Sequence, residues 1–150
     1  MPYDNIMGTG KFACGKTTYA RLGNTNDRML LHVNFGGKVS TFAVLDTGTH
    51  WCILNPEHFE AVEGTCESYQ SEDWRIRGET YSGRIYRMPI YLDSEEGEGL
   101  EVEGSVFIPT LRPGQKYEHP DFIGLIGFLE RIRYAIDPEE SKFYFGKMED

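Results

Sequence analysis

Short runs of strand-forming residues, each closed off by a turn signal, recur from Met29 to Phe145, and this punctuation constrains the fold more than any other feature. Leu30, Leu31, Val33 and Phe35 precede the pair Gly36-Gly37, and Val39, Thr41, Phe42, Ala43, Val44 and Leu45 come after it, which predicts a hairpin. The second of these strands stops at Asp46-Thr47-Gly48. Asn55-Pro56-Glu57 then places an N-cap before a proline at the first helical position and predicts a short helix to about Val62. Trp74 to Gly78 and Arg84 to Leu92 flank Glu79 to Gly83, which predicts a longer hairpin with its tip near Tyr81. The carboxylate-rich run from Asp93 to Glu101 reads as a solvated loop, and Gly104 to Pro109 as a strand. Phe122 to Gly127 leads into an expected helix of one to two turns over Phe128 to Arg133. The last strands are expected at Tyr134 to Ile136 and Lys142 to Phe145, on either side of the turn Asp137 to Glu140. Many short strands with one or two brief helices give an all-β, barrel-like domain.

Residues 1–27 have no sustained period and read as a polar N-terminal extension, residues 28–146 as the folded domain and 147–150 as a tail. A chain of 150 residues buries roughly two thirds of its unfolded surface, so one domain without covalent staples suffices. The excess of 24 acidic over 15 basic side chains, a net charge of −9, repels phosphate backbones and anionic lipid, so neither nucleic acid nor membrane is an expected partner. Cys14, Cys52 and Cys66 are an odd number without framework spacing, and no signal-peptide pattern is present, which points to a reducing cytoplasm.

Asp46-Thr47-Gly48 carries little meaning as a bare tripeptide, since Asp and Gly also serve an ordinary β-turn. Its context is more specific. The carboxylate leaves the apolar strand Phe42 to Leu45, and Trp51 to Leu54 comes next; about eighty residues later comes Leu125-Ile126-Gly127 with a short helix behind it. This paired order resembles the retropepsin-like aspartic proteases over residues 28 to 146. The resemblance implies an all-β retropepsin-like acid-protease barrel with one lobe per chain, acting as a homodimeric endopeptidase on peptide or protein substrates, with no metal or organic cofactor. It implies that Asp46 is the catalytic aspartate, that Thr47 bonds across the dimer axis, and that Gly48 lets substrate backbone approach. Leu125, Ile126 and Gly127 would pack under the active-site loop, and the hairpin around Gly78 to Gly83 would be the flap. Thr49, His50, Tyr81 and Ile126 are the candidate substrate contacts. Thr49 stands where retroviral relatives usually have alanine; a hydroxyl donating to Asp46 would favour the charged form and an acidic pH optimum. His50 stands where those relatives carry an aspartate that holds substrate main chain.

One aspartate per chain is half of what the chemistry needs. Two carboxylates in contact share one proton, and the pair then supplies the base that activates water and the acid that protonates the peptide. The alternative is a noncatalytic peptide-binding or assembly module with the same fold. Two other motifs are weaker. Gly10 to Thr17 fits the phosphate-loop pattern, but no apolar strand precedes it and Gly23 breaks the helix that would have to succeed it. His50 and Cys52 have no second pair at ligand spacing, so no metal is expected.

Overall fold

The computed structural model describes residues 15–21 and 29–148. The turn expected at Gly23 to Asp27 and the residues Gly10 to Cys14 lie outside them. The strands are β1 (Gly15–Thr18), β2 (Ala20–Arg21), β3 (Met29–Phe35), β4 (Val39–Leu45), β5 (Cys52–Ile53) and β6 (Glu67–Ile76), then β7 (Glu79–Leu92), β8 (Glu96–Gly97), β9 (Leu100–Pro109), β10 (Phe122–Ile123), β11 (Ile132–Asp137) and β12 (Lys142–Lys147). Among the described residues one α-helix, α1 (Phe59–Val62), lies between single 3-10 turns. The all-β reading holds.

Gly36 and Gly37 have φ of 65° and 74°, the left-handed pair that a tight hairpin requires and that other residues resist. They set the register of β3 on β4 from Phe35↔Val39 to Met29↔Leu45. β4 then runs parallel to β10, β10 antiparallel to β5, and β5 parallel to β9. β9 pairs with β7, and β7 returns to β3 through Val33↔Leu92, which closes the sheet into a barrel without a free edge around that ring. Leu31, Val33 and Phe35 of β3 alternate into the core, whereas Ala43, Val44 and Leu45 of β4 are buried in succession. Ala43 and Leu45 belong to one apolar cluster and Val44 to a second on the opposite face. A strand covered on both sides needs a continuous apolar run, and Asp46 is where that run ends.

The long hairpin and the second short helix differ from expectation. The long hairpin turns at Arg77 and Gly78, with φ of 50° and 88°, and Trp74 pairs with Tyr81. Tyr81 is therefore not at the tip; it is 1% exposed. Gly83, which suggested the turn, is a strand glycine: a Cβ there would lie 2.5 Å from the Ile108 carbonyl oxygen and 2.8 Å from the Phe107 ring. The helix expected over Phe128 to Arg133 is a single 3-10 turn, Leu129–Arg131, because Ile132 and Arg133 pair with Lys147 and Gly146. The stretch before Met29 includes strand, since β1 pairs with both β12 and β8 and β2 pairs with β3. Lys16 and Thr17 thus lie in a strand, where a phosphate cradle needs a helix N-terminus.

The acidic run is likewise more than a solvated loop. Glu96–Gly97 forms β8, Lys16 meets Glu96 at 2.6 Å, and the Glu95 carboxylate accepts from the Thr18 amide at 2.8 Å and the Thr18 hydroxyl at 3.0 Å. These donors, with Lys142 beside them, hold the Glu95 carboxyl below the usual carboxylate range. A lowered acid pKa contributes stability while the group is ionised and loses it as pH falls through that range. Glu95→Gln is expected to lower Tm by about 1–2 °C at neutral pH, a small effect because the pair is exposed. The gap between variant and parent should close below about pH 4 in thermal melts. An undiminished gap in acid means that the charge is not what anchors β1.

Candidate active site

Asp46 emerges at the end of β4, half-buried, and its backbone is held from two directions. Its amide donates to the Ile123 carbonyl at 3.0 Å, and its own carbonyl accepts from the Thr49 amide at 3.1 Å. The carboxylate is oriented by the Gly48 amide, which donates to Oδ1 at 2.8 Å. This local loop, an aspartate accepting from the residue two positions on, is the turn geometry that Asp-x-Gly favours. Thr47 and Gly48 are exposed.

The segment after β10 braces the loop from below. The Leu125 amide donates to the Thr49 carbonyl at 2.7 Å, and the amides of Ile126 and Gly127 both reach the His50 carbonyl, at 2.9 Å and 3.0 Å. Gly124 and Gly127 permit this approach: a Cβ on Gly124 would lie 2.2 Å from the Trp51 carbonyl oxygen, and one on Gly127 would lie 2.5 Å from the Cys52 nitrogen. A buried carboxylate, Asp121, adds a second tie. It accepts from the Thr41 hydroxyl at 2.8 Å and from the Asn55 amide at 2.7 Å, joining β4 to the chain beyond β5.

Above Asp46 lies a groove of ≈ 180 Å³. Asp46, Gly48 and Thr49 form one side, Ile53 and Phe122 add apolar wall, and the β6–β7 hairpin end from Trp74 to Arg77 forms the other side. The hairpin is tied to the active-site loop where the Trp51 indole nitrogen donates to the Glu72 carboxylate at 2.6 Å. Trp51→Phe keeps an aromatic ring and removes this bond. It is expected to destabilise the chain by about 1 kcal/mol and to speed amide hydrogen exchange selectively in β6. Unchanged exchange there would show that the hairpin is held by its strand pairing alone.

Of the residues singled out in the sequence, Asp46, Gly48 and Thr49 line this groove. Thr47 and His50 sit on the same loop outside the lining, His50 with its ring edge-on to Trp51 at 4.6 Å. Ile126 is half-buried beneath the loop. Tyr81 packs in the second apolar cluster, with its hydroxyl donating to the Lys116 carbonyl at 3.1 Å. Among the described residues the donor to the Asp46 carboxylate is the Gly48 amide and not the Thr49 hydroxyl. Sequence reasoning missed Trp74, Arg75, Ile76 and Arg77 as groove residues. The signal that could have found them is Arg77-Gly78, a turn dipeptide that competes with Ser82-Gly83 five residues on.

Cys52 is buried, and desolvation pushes its thiol up to about 12, so it stays protonated at neutral pH and acts as core. No group of three His, Cys, Asp or Glu side chains among the described residues is placed to hold a metal ion, and no helix there is long and apolar enough to cross a membrane.

No protein-family model matches this sequence, and no match was found among curated proteins. Among solved structures, the fold is similar to that of a retropepsin-like aspartic protease from Rickettsia conorii, with a TM-score of 0.54 and 13% sequence identity over 87% of this chain and 98% of that one. At that identity the likeness is one of architecture, and the barrel described here has a retropepsin-like fold.

Proposed function

We propose that this chain is one half of an aspartic endopeptidase, completed when two copies bring their Asp46 side chains together. The observation that carries this reading is the placement of Asp46. Its carboxylate is set by the Gly48 amide on a braced loop, beside a groove that the end of a long hairpin also lines. Fold alone licenses no activity; the site is what supports the reading.

In the dimer the two carboxylates compete for one proton, because both cannot ionise in a poorly solvated contact. The ionised member takes a proton from water, and the hydroxide so formed bonds to the peptide carbonyl carbon. The protonated member donates to the carbonyl oxygen, and collapse of the adduct breaks the C–N bond as a proton passes to the leaving amine. Thr47, exposed on the loop, would bond across the twofold axis, and Gly48 would leave room for substrate backbone. Such an interface is isologous, with the same patch used by each copy.

Peptide-library cleavage measured over a dilution series, with sedimentation on the same samples, tests this. Activity per chain is expected to rise with concentration in step with the dimer fraction. A strictly monomeric chain that cleaves, or a dimer that binds peptides and cleaves none at any pH, overturns the proposal; the second result supports a noncatalytic peptide-binding module.

A further inference from the structure

The hairpin end brings Arg75 and Arg77 into the lining of the Asp46 groove. Arg75 lies on β6 just before the turn and Arg77 is the first turn residue; both are exposed and both line the groove. Arg77 sits over the Phe122 ring at 5.4 Å, which steadies its guanidinium beside the groove wall. Neither arginine is ion-paired among the described residues.

The carboxylates nearest in sequence are engaged elsewhere. Glu72 accepts from the Trp51 indole, Asp73 from the Ser82 hydroxyl at 2.7 Å, and Glu79 from the Gln115 amide at 3.1 Å. Only Asp46 offers negative charge among the residues lining the groove, and a shared proton would leave an Asp46 pair with one charge in total. In a chain of net charge −9 this is a local reversal of sign at the place where substrate would lie. Guanidinium groups recognise carboxylates through two parallel hydrogen bonds, a geometry that neutral side chains cannot satisfy.

We propose that Arg75 and Arg77 make this groove selective for peptides that carry an Asp or Glu side chain close to the bond to be cut. The acidic residue sits toward the hairpin rather than at the scissile bond itself, where the charge of the Asp46 pair repels it. An extended peptide advances about 3.3 Å per residue, so the acidic side chain is offset along the peptide from the bond to be cut. The cleavage part rests on the endopeptidase reading; the binding part does not.

The test uses a matched set of fluorescent peptides with Glu, Gln or Lys at each position flanking the central bond. Binding is measured by anisotropy on the Asp46→Asn chain, and cleavage on the native chain. Glu peptides are expected to bind about five-fold more tightly than their Gln counterparts. The ratio should fall to about one in Arg75→Gln/Arg77→Gln, be partly kept in Arg77→Lys, and shrink as salt is raised to about 1 M. Both side chains are exposed, so the substitutions leave the core intact. Equal binding of Glu and Gln peptides, a preference that survives the double substitution, or no binding of any peptide overturns the inference. Cleavage without acidic preference removes this inference and leaves the endopeptidase, whereas arginine-dependent preference without cleavage does the reverse.

Discussion

Asp46→Asn is expected to lower peptide cleavage by about 10³-fold or more while leaving the fold and the dimer in place. The substitution is selective for a structural reason. The carboxylate oxygen that accepts from the Gly48 amide at 2.8 Å has an equivalent in the asparagine carbonyl, so the loop keeps its hydrogen bond. What is lost is the ability to take up and release a proton, on which the paired mechanism depends. Mixing makes the test sharper. If chains exchange freely and half are Asp46→Asn, about one quarter of the dimers carry two aspartates, so activity should scale as the square of the native fraction. A linear dependence would mean that a single chain holds a complete site, and a fully active variant would place the chemistry elsewhere.

What was legible in the sequence is what local chemistry decides. Gly36-Gly37 announces its turn because few residues tolerate the dihedral angles it adopts, and Asn55 accepts from the Glu57 amide as an N-cap should. The run ending at Leu45 was readable as a strand, although Phe42 at its start is 58% exposed and only Ala43 to Leu45 are buried on both faces. The bracing of the Asp46 loop by Leu125 to Gly127 was implied by resemblance, not by any period in that segment; the backbone bonds show it. Pairings made across the chain were not legible. Thr18 and Glu95 lie 77 positions apart, and the three-residue contact of β7 with β3 that closes the barrel leaves no mark in either strand. The hairpin tip failed for a different reason. Two turn signals competed, and packing against Phe107 settled Gly83 into the strand, which left Arg77-Gly78 to turn and carried two arginines to the groove.

Gly124→Ala should cost far more than its size suggests. A Cβ at this position would lie 2.2 Å and 2.6 Å from the carbonyl oxygen and carbon of Trp51, and 2.7 Å from the carbonyl oxygen of Thr49. All three are backbone atoms of the active-site loop, so no side-chain rotation relieves the overlap. Either the loop lifts, breaking the bond from the Leu125 amide to the Thr49 carbonyl, or β10 withdraws from β4, loosening the bond from the Asp46 amide to the Ile123 carbonyl. The expected loss is about 3 kcal/mol, a fall in Tm of roughly 10 °C for a chain of this length. Gly64→Ala is the matched control, since nothing lies within 4 Å of a Cβ there and its φ is ordinary; it should stay within about 0.5 kcal/mol of the parent. Urea denaturation of the two variants makes the comparison. Cleavage per folded chain should also fall in Gly124→Ala alone, because the displaced atoms are those that position Asp46. Equal stability in both variants would show that the loop yields freely, and that the segment after β10 lies beneath the carboxylate without holding it.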